Sequence, residues 1–376
     1  MIRNSNDIVN AELEGRVREY MWRKNPSQTT VSGYWFDLSL SPGSPPPKYW
    51  FDASPTIGVQ VKQSTDGGMF HGADVNPMIK YLRGFSIRGT AAAGLPLSFK
   101  LMDYILYYPS VDDSTVGETA MTSNFNTLCT FTTPTPPLYQ SDLLTLTTNN
   151  LANLTRCRVS SSGTLPSGLT ADTDYWAIKV SDTTCRLATS RANAVAGTFF
   201  HQINDSGTGT HYLKTILPRY TDGAGLQIMP VSVAGRTGGF TFNVTYTNSS
   251  GVAGRVTQTV MENAQPYLGV IVTSNPVAVG NYTGEFVPLQ AGDTGVQSID
   301  SVNMITGDVG LVSLILVKPL AETVLKEITA PMERDFFVDC VELPEIKDDA
   351  FLNMICLPTG SLAATGLLGS IKVIWN

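Results

Sequence analysis

Residues 241–260 read TFNVTYTNSSGVAGRVTQTV. Two Thr/Val-rich segments, Thr241–Thr247 and Val252–Val260, flank Asn248-Ser-Ser-Gly251, a run of turn formers. The pattern predicts two strands joined by a hairpin loop. The same texture extends in both directions. Toward the C-terminus, strands are predicted at Leu268–Thr273, Val296–Asn303, Gly310–Val317, Phe336–Leu343, Leu352–Cys356 and Gly369–Trp375, with a helical stretch at Leu320–Ile328. Toward the N-terminus they are predicted at Leu226–Val233, Leu97–Tyr108, Leu82–Gly89 and Ile57–Lys62. Turn signals such as Thr65-Asp-Gly-Gly68 and Gly94-Leu-Pro96 punctuate them. Short strands at spacings of about 8–12 residues indicate sandwiches, jelly rolls or barrels. The expected fold is therefore mainly β, a multi-domain β-sandwich or jelly-roll-like architecture with a short N-terminal helix.

That helix is predicted over Asn6–Lys24. Val9, Leu13, Val17 and Met21 recur every four residues, Asp7 sits at the favourable end of the dipole, and Asn25-Pro26 stops it. Past Ser27, Gly33-Tyr-Trp-Phe-Asp-Leu38 alternates large apolar with small or polar residues. Ser41-Pro-Gly-Ser-Pro-Pro-Pro47 is a stiff connector flanked by Tyr34, Trp35 and Phe36 on one side and Tyr49, Trp50 and Phe51 on the other. The expected organisation is an N-terminal helical arm (1–26), a core β region (27–127 plus 217–376) and an inserted Thr/Ser-rich β module (128–216). Prolines 134, 136 and 137 mark the lead-in to the module. Candidate assembly contacts are Val9, Leu13, Val17, Met21, Trp35, Tyr49 and Trp50, because apolar and aromatic surface at a chain end or beside a stiff connector suits docking on a neighbour.

Composition narrows the function. Only 15% of the 376 residues are charged and the formal net charge is −7, against about 25% charged in average domains. With 42% apolar residues, the chain is no disordered acidic protein. It also lacks the Lys/Arg clusters that displace phosphate counterions, so nucleic acid is not an expected partner. No apolar run is long enough for a transmembrane helix. MIRNSNDIVN lacks the apolar core of a secretory signal. Cys129, Cys157, Cys185, Cys340 and Cys356 are scattered, with no C-x-x-C pair, and read as reduced thiols in a protein made in a cytoplasm. The N-x-S/T sequons, beginning with Asn153 and Asn204, gain no meaning without a secretory route.

Chemistry is sparse. No G-x-S-x-G elbow, P-loop or H-E-x-x-H motif occurs among the residues, and the histidines are His71, His201 and His211. Asp112-Asp113, Asp172/Asp174 and Asp348-Asp349 pair carboxylates in sequence. Adjacent strand residues point to opposite faces, which is poor geometry for acid–base work. The sequence assigns no catalytic residue, cofactor or metal, and the chain is read as a non-enzyme.

Within the module, Leu165-Pro-Ser-Gly-Leu169 precedes Asp174-Tyr-Trp-Ala-Ile-Lys-Val180. Cys185-Arg-Leu-Ala-Thr-Ser-Arg-Ala-Asn-Ala-Val-Ala-Gly-Thr198 and Ser206-Gly-Thr-Gly-Thr-His-Tyr-Leu213 follow. This series resembles a small all-β module that recurs in tailed-bacteriophage virion proteins, and the likeness covers most of residues 141–213. More loosely, Gly33-Tyr-Trp-Phe-Asp-Leu-Ser-Leu-Ser-Pro-Gly43, Leu217-Pro-Arg-Tyr-Thr-Asp-Gly-Ala-Gly225 and Ile371-Lys-Val-Ile-Trp375 resemble phage structural proteins. The resemblance implies a virion context, with synthesis in the bacterial host cytoplasm, and names no particular job; the expected place is the capsid exterior. A capsid decoration or cement role is expected. Its partners would be copies of itself in a closed cyclic homo-oligomer, a trimer for preference, and the major capsid protein or other virion proteins. A major capsid protein of jelly-roll type, or a tail or fibre protein binding host surface glycans, are the alternatives.

Overall fold

The computed structural model describes the chain except residues 1, 3, 28, 51–55, 92–93, 135–141, 199–202, 275–283, 308, 329, 340–341 and 364. Phe51, Pro136, Pro137, His201 and Cys340 thus lie outside the described residues.

Two long strands, Leu97–Tyr107 and Leu311–Leu325, form the spine, pairing antiparallel from Leu97↔Leu325 to Tyr107↔Ile315. They sit in a central sheet ordered Gln227–Ala234, Leu311–Leu325, Leu97–Tyr107, Leu352–Leu357, Phe36–Asp37. One face of this sheet is covered twice. At one end, Leu97, Phe99, Leu101, Leu352 and Met354 pack on Phe85, Ile87, Ile371 and Val373 of a terminal sheet. At the other end, Ile228, Leu314 and Leu316 pack on Val244, Tyr246, Ile299 and Val302 of a lateral sheet. The opposite face carries Met102, Tyr104, Val231, Ile315 and Val317, covered by Trp35, Trp50 and Ile271 from connecting segments. The result is two sandwiches sharing one sheet, the mainly β multi-sheet architecture with a short N-terminal helix that the strand spacing predicts. Each fully buried Leu, Ile or Phe contributes about 1.5–3 kcal/mol.

The hairpin at 241–260 forms in the lateral sheet. Thr241–Asn248 alternates buried Phe242, Val244 and Tyr246 with half-buried Thr and Asn. Gly251 N–H donates to Asn248 O at 2.8 Å to close the turn. The returning segment pairs only at Arg255–Val256 and Val260–Met261.

Several local expectations are corrected. The N-terminal helix spans Ser5–Leu13, with an Asn4 capping box, and does not continue to Lys24. Gly15 turns the chain with φ +70°. Val17–Lys24 is a strand whose period-two pattern buries Trp22 and Lys24 and exposes Met21 and Arg23. It pairs along its whole length with the C-terminal strand, from Val17↔Ile374 to Lys24↔Leu367. A four-residue spacing coincides with an even strand period, so the apolar pattern alone could not separate the two. Gly369 on that C-terminal strand admits no side chain, since a Cβ there would meet Ser86 O and the Trp22 ring. Leu320–Leu325, expected helical, continues the spine strand. Phe336–Asp339, expected extended, is a helical turn. Val270 and Ile271 make isolated bridges rather than a strand.

The module strands Asn126–Thr132, Leu144–Leu146, Arg156–Ser161, Tyr175–Ser181, Thr184–Ala188 and His211–Thr215 form a closed barrel with its own core of Phe131, Val159, Tyr175 and Leu213. Its first and last strands pair with each other at Asn126↔Thr215, so the chain enters and leaves the barrel at one place.

Candidate functional site

The expected assembly contacts separate into two groups. On the helix, Ile8 and Ala11 face the core, while Val9 and Leu13 share the solvent side, Leu13 being 81% exposed. Met21 and Tyr49 are exposed, at 67% and 62%. Val17 is half-buried against the terminal-sheet core. Trp35 and Trp50 lie in the core of this chain and offer no docking surface, which corrects the expectation for both. Arg83 reaches both Glu12 of the helix and Asp335 just before the helical turn.

Trp50 is buried by polar chemistry as well as by its ring. Its Nε1 donates to Asp37 Oδ2 at 2.6 Å, and Tyr104 Oη donates to Asp37 Oδ1 at 2.8 Å. Ser39 donates its N–H and hydroxyl to the same carboxyl. Burial pushes the Asp37 carboxyl above the usual range, and these hydrogen bonds oppose the shift. The Trp50 and Tyr104 rings stack at 5.4 Å.

The seam between barrel and body is built on Arg219, in the segment that leaves the barrel. Its Nε and a terminal nitrogen donate to Asp103 at 2.8 and 2.7 Å, and it also donates to the carbonyls of Asp349, Val61 and Tyr104. Both side chains of the pair are fully buried. Asp103 occupies the spine strand between the two cores of the shared face. Burial raises its carboxyl, and Arg219 opposes that shift.

Beside the seam, His71 is buried and sits between Lys80 Nζ, 3.1 Å from Nδ1, and Ala350 O, 2.9 Å from Nε2. An ammonium only donates, so Nδ1 accepts and the ring proton lies on Nε2. Burial, with Lys80 adding repulsion, pushes the imidazole down to about 3. Lys80 itself is lowered by burial, against the pull of Asp348 and Asp74.

Barrel and body meet through polar bonds. Asn149 donates to Met78 O at 3.0 Å, Asn150 to Asp348 O at 3.2 Å, and Ala152 N–H to Thr221 Oγ1 at 2.9 Å. Between the two parts lies a pocket of about 270 Å³ bordered by Lys62, Asp74, Thr147, Asn150, Arg219 and Asp348. Asn150 is only 7% exposed, and its Oδ1 accepts no hydrogen bond. Sequence reasoning missed Arg219 and Asn150. Arg219 stood inside a quoted motif, but nothing local marks an arginine as buried.

The remaining chemical groups are occupied by packing. His211 is bonded to Ser161 Oγ and Ser206 O. Burial raises the thiols of Cys129 and Cys185 to about 12. Asp174 takes Arg156 and Arg158, and Asp112 caps Ser114. Among the described residues no group of three or more His, Cys, Asp or Glu is arranged to hold a metal, and no helix is long and apolar enough to cross a membrane.

No family model matches the chain, and no curated protein matches it. Solved structures of VP2 from infectious bursal disease virus align with 96% of the chain at 8% identity. One is a mutant in derived T=1 particles and the other a subviral particle. They are covered over 78% and 81% of their own length, each with a TM-score of 0.15. A likeness at that level carries no argument about this fold.

Proposed function

We propose that this chain is a non-enzymatic structural protein of a tailed-bacteriophage virion, a decoration or cement protein on the outside of the head. The observation that carries the proposal is the set of large apolar side chains left in water by an otherwise well-packed N-terminal region: Val9, Leu13 and Met21. Large apolar side chains left exposed offer surface that association would bury. The resemblance of residues 141–213 to a phage virion module supports the virion context, and the barrel's single attachment suits a module carried outward from a shell. The mechanism is mechanical: apolar faces buried between copies, and against the major capsid protein, resist internal pressure. Obligate interfaces of this kind bury about 2,000–5,000 Å², and a closed cyclic oligomer follows the local symmetry of a shell.

The test is removal. Virions stripped of this protein are expected to lose heat and osmotic resistance, and unchanged resistance would overturn the cement role. Copy number per particle, measured by quantitative mass spectrometry, separates a decoration protein from a major capsid protein.

A further inference from the structure

We propose that two neighbouring turns of the lateral sheet, one carrying Val116 and the other Ile305 and Val309, form an apolar knob that seats in a hollow on a different protein, a hollow rimmed by lysine and arginine. This rests on the virion reading and gives it a contact carried by residues other than Val9, Leu13 and Met21. The three side chains are 61%, 41% and 65% exposed. Their adjacency follows from register. Strands Gly117–Ala120 and Val296–Met304 pair antiparallel as far as Gly117↔Met304, so Val116 and Ile305 are the next residues on the two sides. Beyond them, a Cβ on Gly307 would meet Val116 Cγ2 at 3.1 Å and Ser114 O at 3.0 Å, which sets one turn directly on the other. Asp113 N–H donates to Gly310 O at 3.1 Å, and Thr115 N–H to Asp112 O at 3.3 Å. The turns are therefore tied together before any partner arrives, and docking them orders little chain.

Charge selects the partner. Asp112 and Glu118, on either side of Val116 in the chain, are exposed. Residues 109–120 and 296–311 contain no lysine or arginine. Arg236, which reaches Asp113 from a neighbouring segment, is buried and bonded to Glu262. An apolar patch set among carboxylates is repelled by anionic lipid headgroups and by nucleic acid, and it attracts a basic rim. A second copy of this chain is a poor occupant. Its net charge is −7, and its exposed Val9 and Leu13 sit on a helix with Asp7 and Glu12 and no basic residue in the last turn. Three aliphatic side chains cannot fill an interface of about 1,200–2,000 Å². They act as its anchor, because a few well-buried residues carry most of an interface's binding energy.

The experiment returns the purified full chain to virions stripped of it and counts bound copies by quantitative mass spectrometry over a concentration series. The triple variant Val116→Ser, Ile305→Ser, Val309→Ser is expected to lose about a hundredfold in affinity, because its knob no longer removes apolar surface from water. Glu118→Lys, which brings a cation against a basic rim, is expected to lose about tenfold. Both are expected to melt with the wild type, since the altered side chains are exposed. Should the triple variant fail to fold, Ile305→Ser and Val309→Ser singly decide in its place, each with an expected loss of about fivefold. A wild-type chain that does not return to stripped heads refutes the virion reading, and this proposal with it. Wild-type binding matched by the folded triple variant, or by Glu118→Lys, overturns this proposal and leaves that reading standing. The same holds if the wild type sediments with phosphatidylglycerol vesicles and the triple variant does not, which assigns the patch to a membrane. It holds too if a wild-type oligomer dissociates in the triple variant, which assigns the patch to a contact between copies.

Discussion

Asp103 and Arg219 lie 116 positions apart in the chain and form a two-bonded ion pair with neither side chain exposed. Everything between them in sequence includes the whole barrel. The pair therefore closes the body's spine strand onto the segment that emerges from the inserted module. Three carbonyls accept further hydrogen bonds from the guanidinium, so the desolvated charge is held by backbone as well as by Asp103.

Arg219→Met leaves the Asp103 carboxyl buried without its counter-charge and is expected to cost about 3–5 kcal/mol. Removing both charges, as in Asp103→Leu with Arg219→Met, is expected to cost less than the single change. Urea denaturation of the two variants reads the difference. A double variant less stable than Arg219→Met would contradict this account.

Neighbouring aromatics give a sharper contrast. Trp50→Phe keeps most of the ring contact with Tyr104 but strips Asp37 of an N–H donor, an expected loss of about 1–3 kcal/mol. Tyr49→Ser, one residue earlier on an exposed position, is expected to stay within about 0.5 kcal/mol. Thermal unfolding of both variants suffices, and equal losses would show that the Asp37 network has been misjudged.

Both residues sat in one aromatic cluster as read from sequence, which shows where legibility ends. Alternation and turn residues are local, so the β class and the hairpin at Asn248–Gly251 could be read directly. Burial of a particular tryptophan is not local. Trp50 is inside because Asp37 and Ser39 accept its indole N–H while Tyr104, from the spine strand, stacks on its ring. The Val17–Lys24 strand was hidden for a similar reason. Its partner is the C-terminal strand, some 350 positions away, and that pairing overrode a spacing equally readable as helical. The seam was least legible, since Asn150, Asp348 and Lys62 carry no shared motif.

Acid sensitivity should trace in part to His71. Its folded-state value is depressed from 6.5 to about 3, so between these values the unfolded chain binds more protons than the folded one. The contribution is fully present above pH 6.5 and is lost as pH falls toward 3. Raised carboxyls such as Asp37 and Asp103 act in the opposite sense, so the test must isolate the histidine. The stability difference between wild type and His71→Gln, followed from pH 7 to pH 4, is expected to shift steadily against the wild type. NMR of the ring should find it neutral with the proton on Nε2 down to at least about pH 4. A ring that titrates near 6.5 in the folded protein would refute the buried arrangement.

The exposed N-terminal residues make the last prediction, on association rather than stability. Leu13→Lys removes an apolar side chain that is 81% exposed and places a cation in the last turn of a helix that has none there. The helix dipole favours that charge, so the helix itself should not weaken. Met21→Lys likewise alters an outward position of the Val17–Lys24 strand without touching Trp22 or Lys24 on its inner face. Both variants are expected to unfold within about 0.5 kcal/mol of the wild type. In sedimentation equilibrium the wild-type chain is expected to populate an oligomer, and each variant to shift it toward monomer. A wild-type chain that stays monomeric at every concentration, with variants indistinguishable from it, would remove these residues as a surface for self-assembly. Unchanged association in both variants of an oligomeric chain would move the contact elsewhere on the molecule.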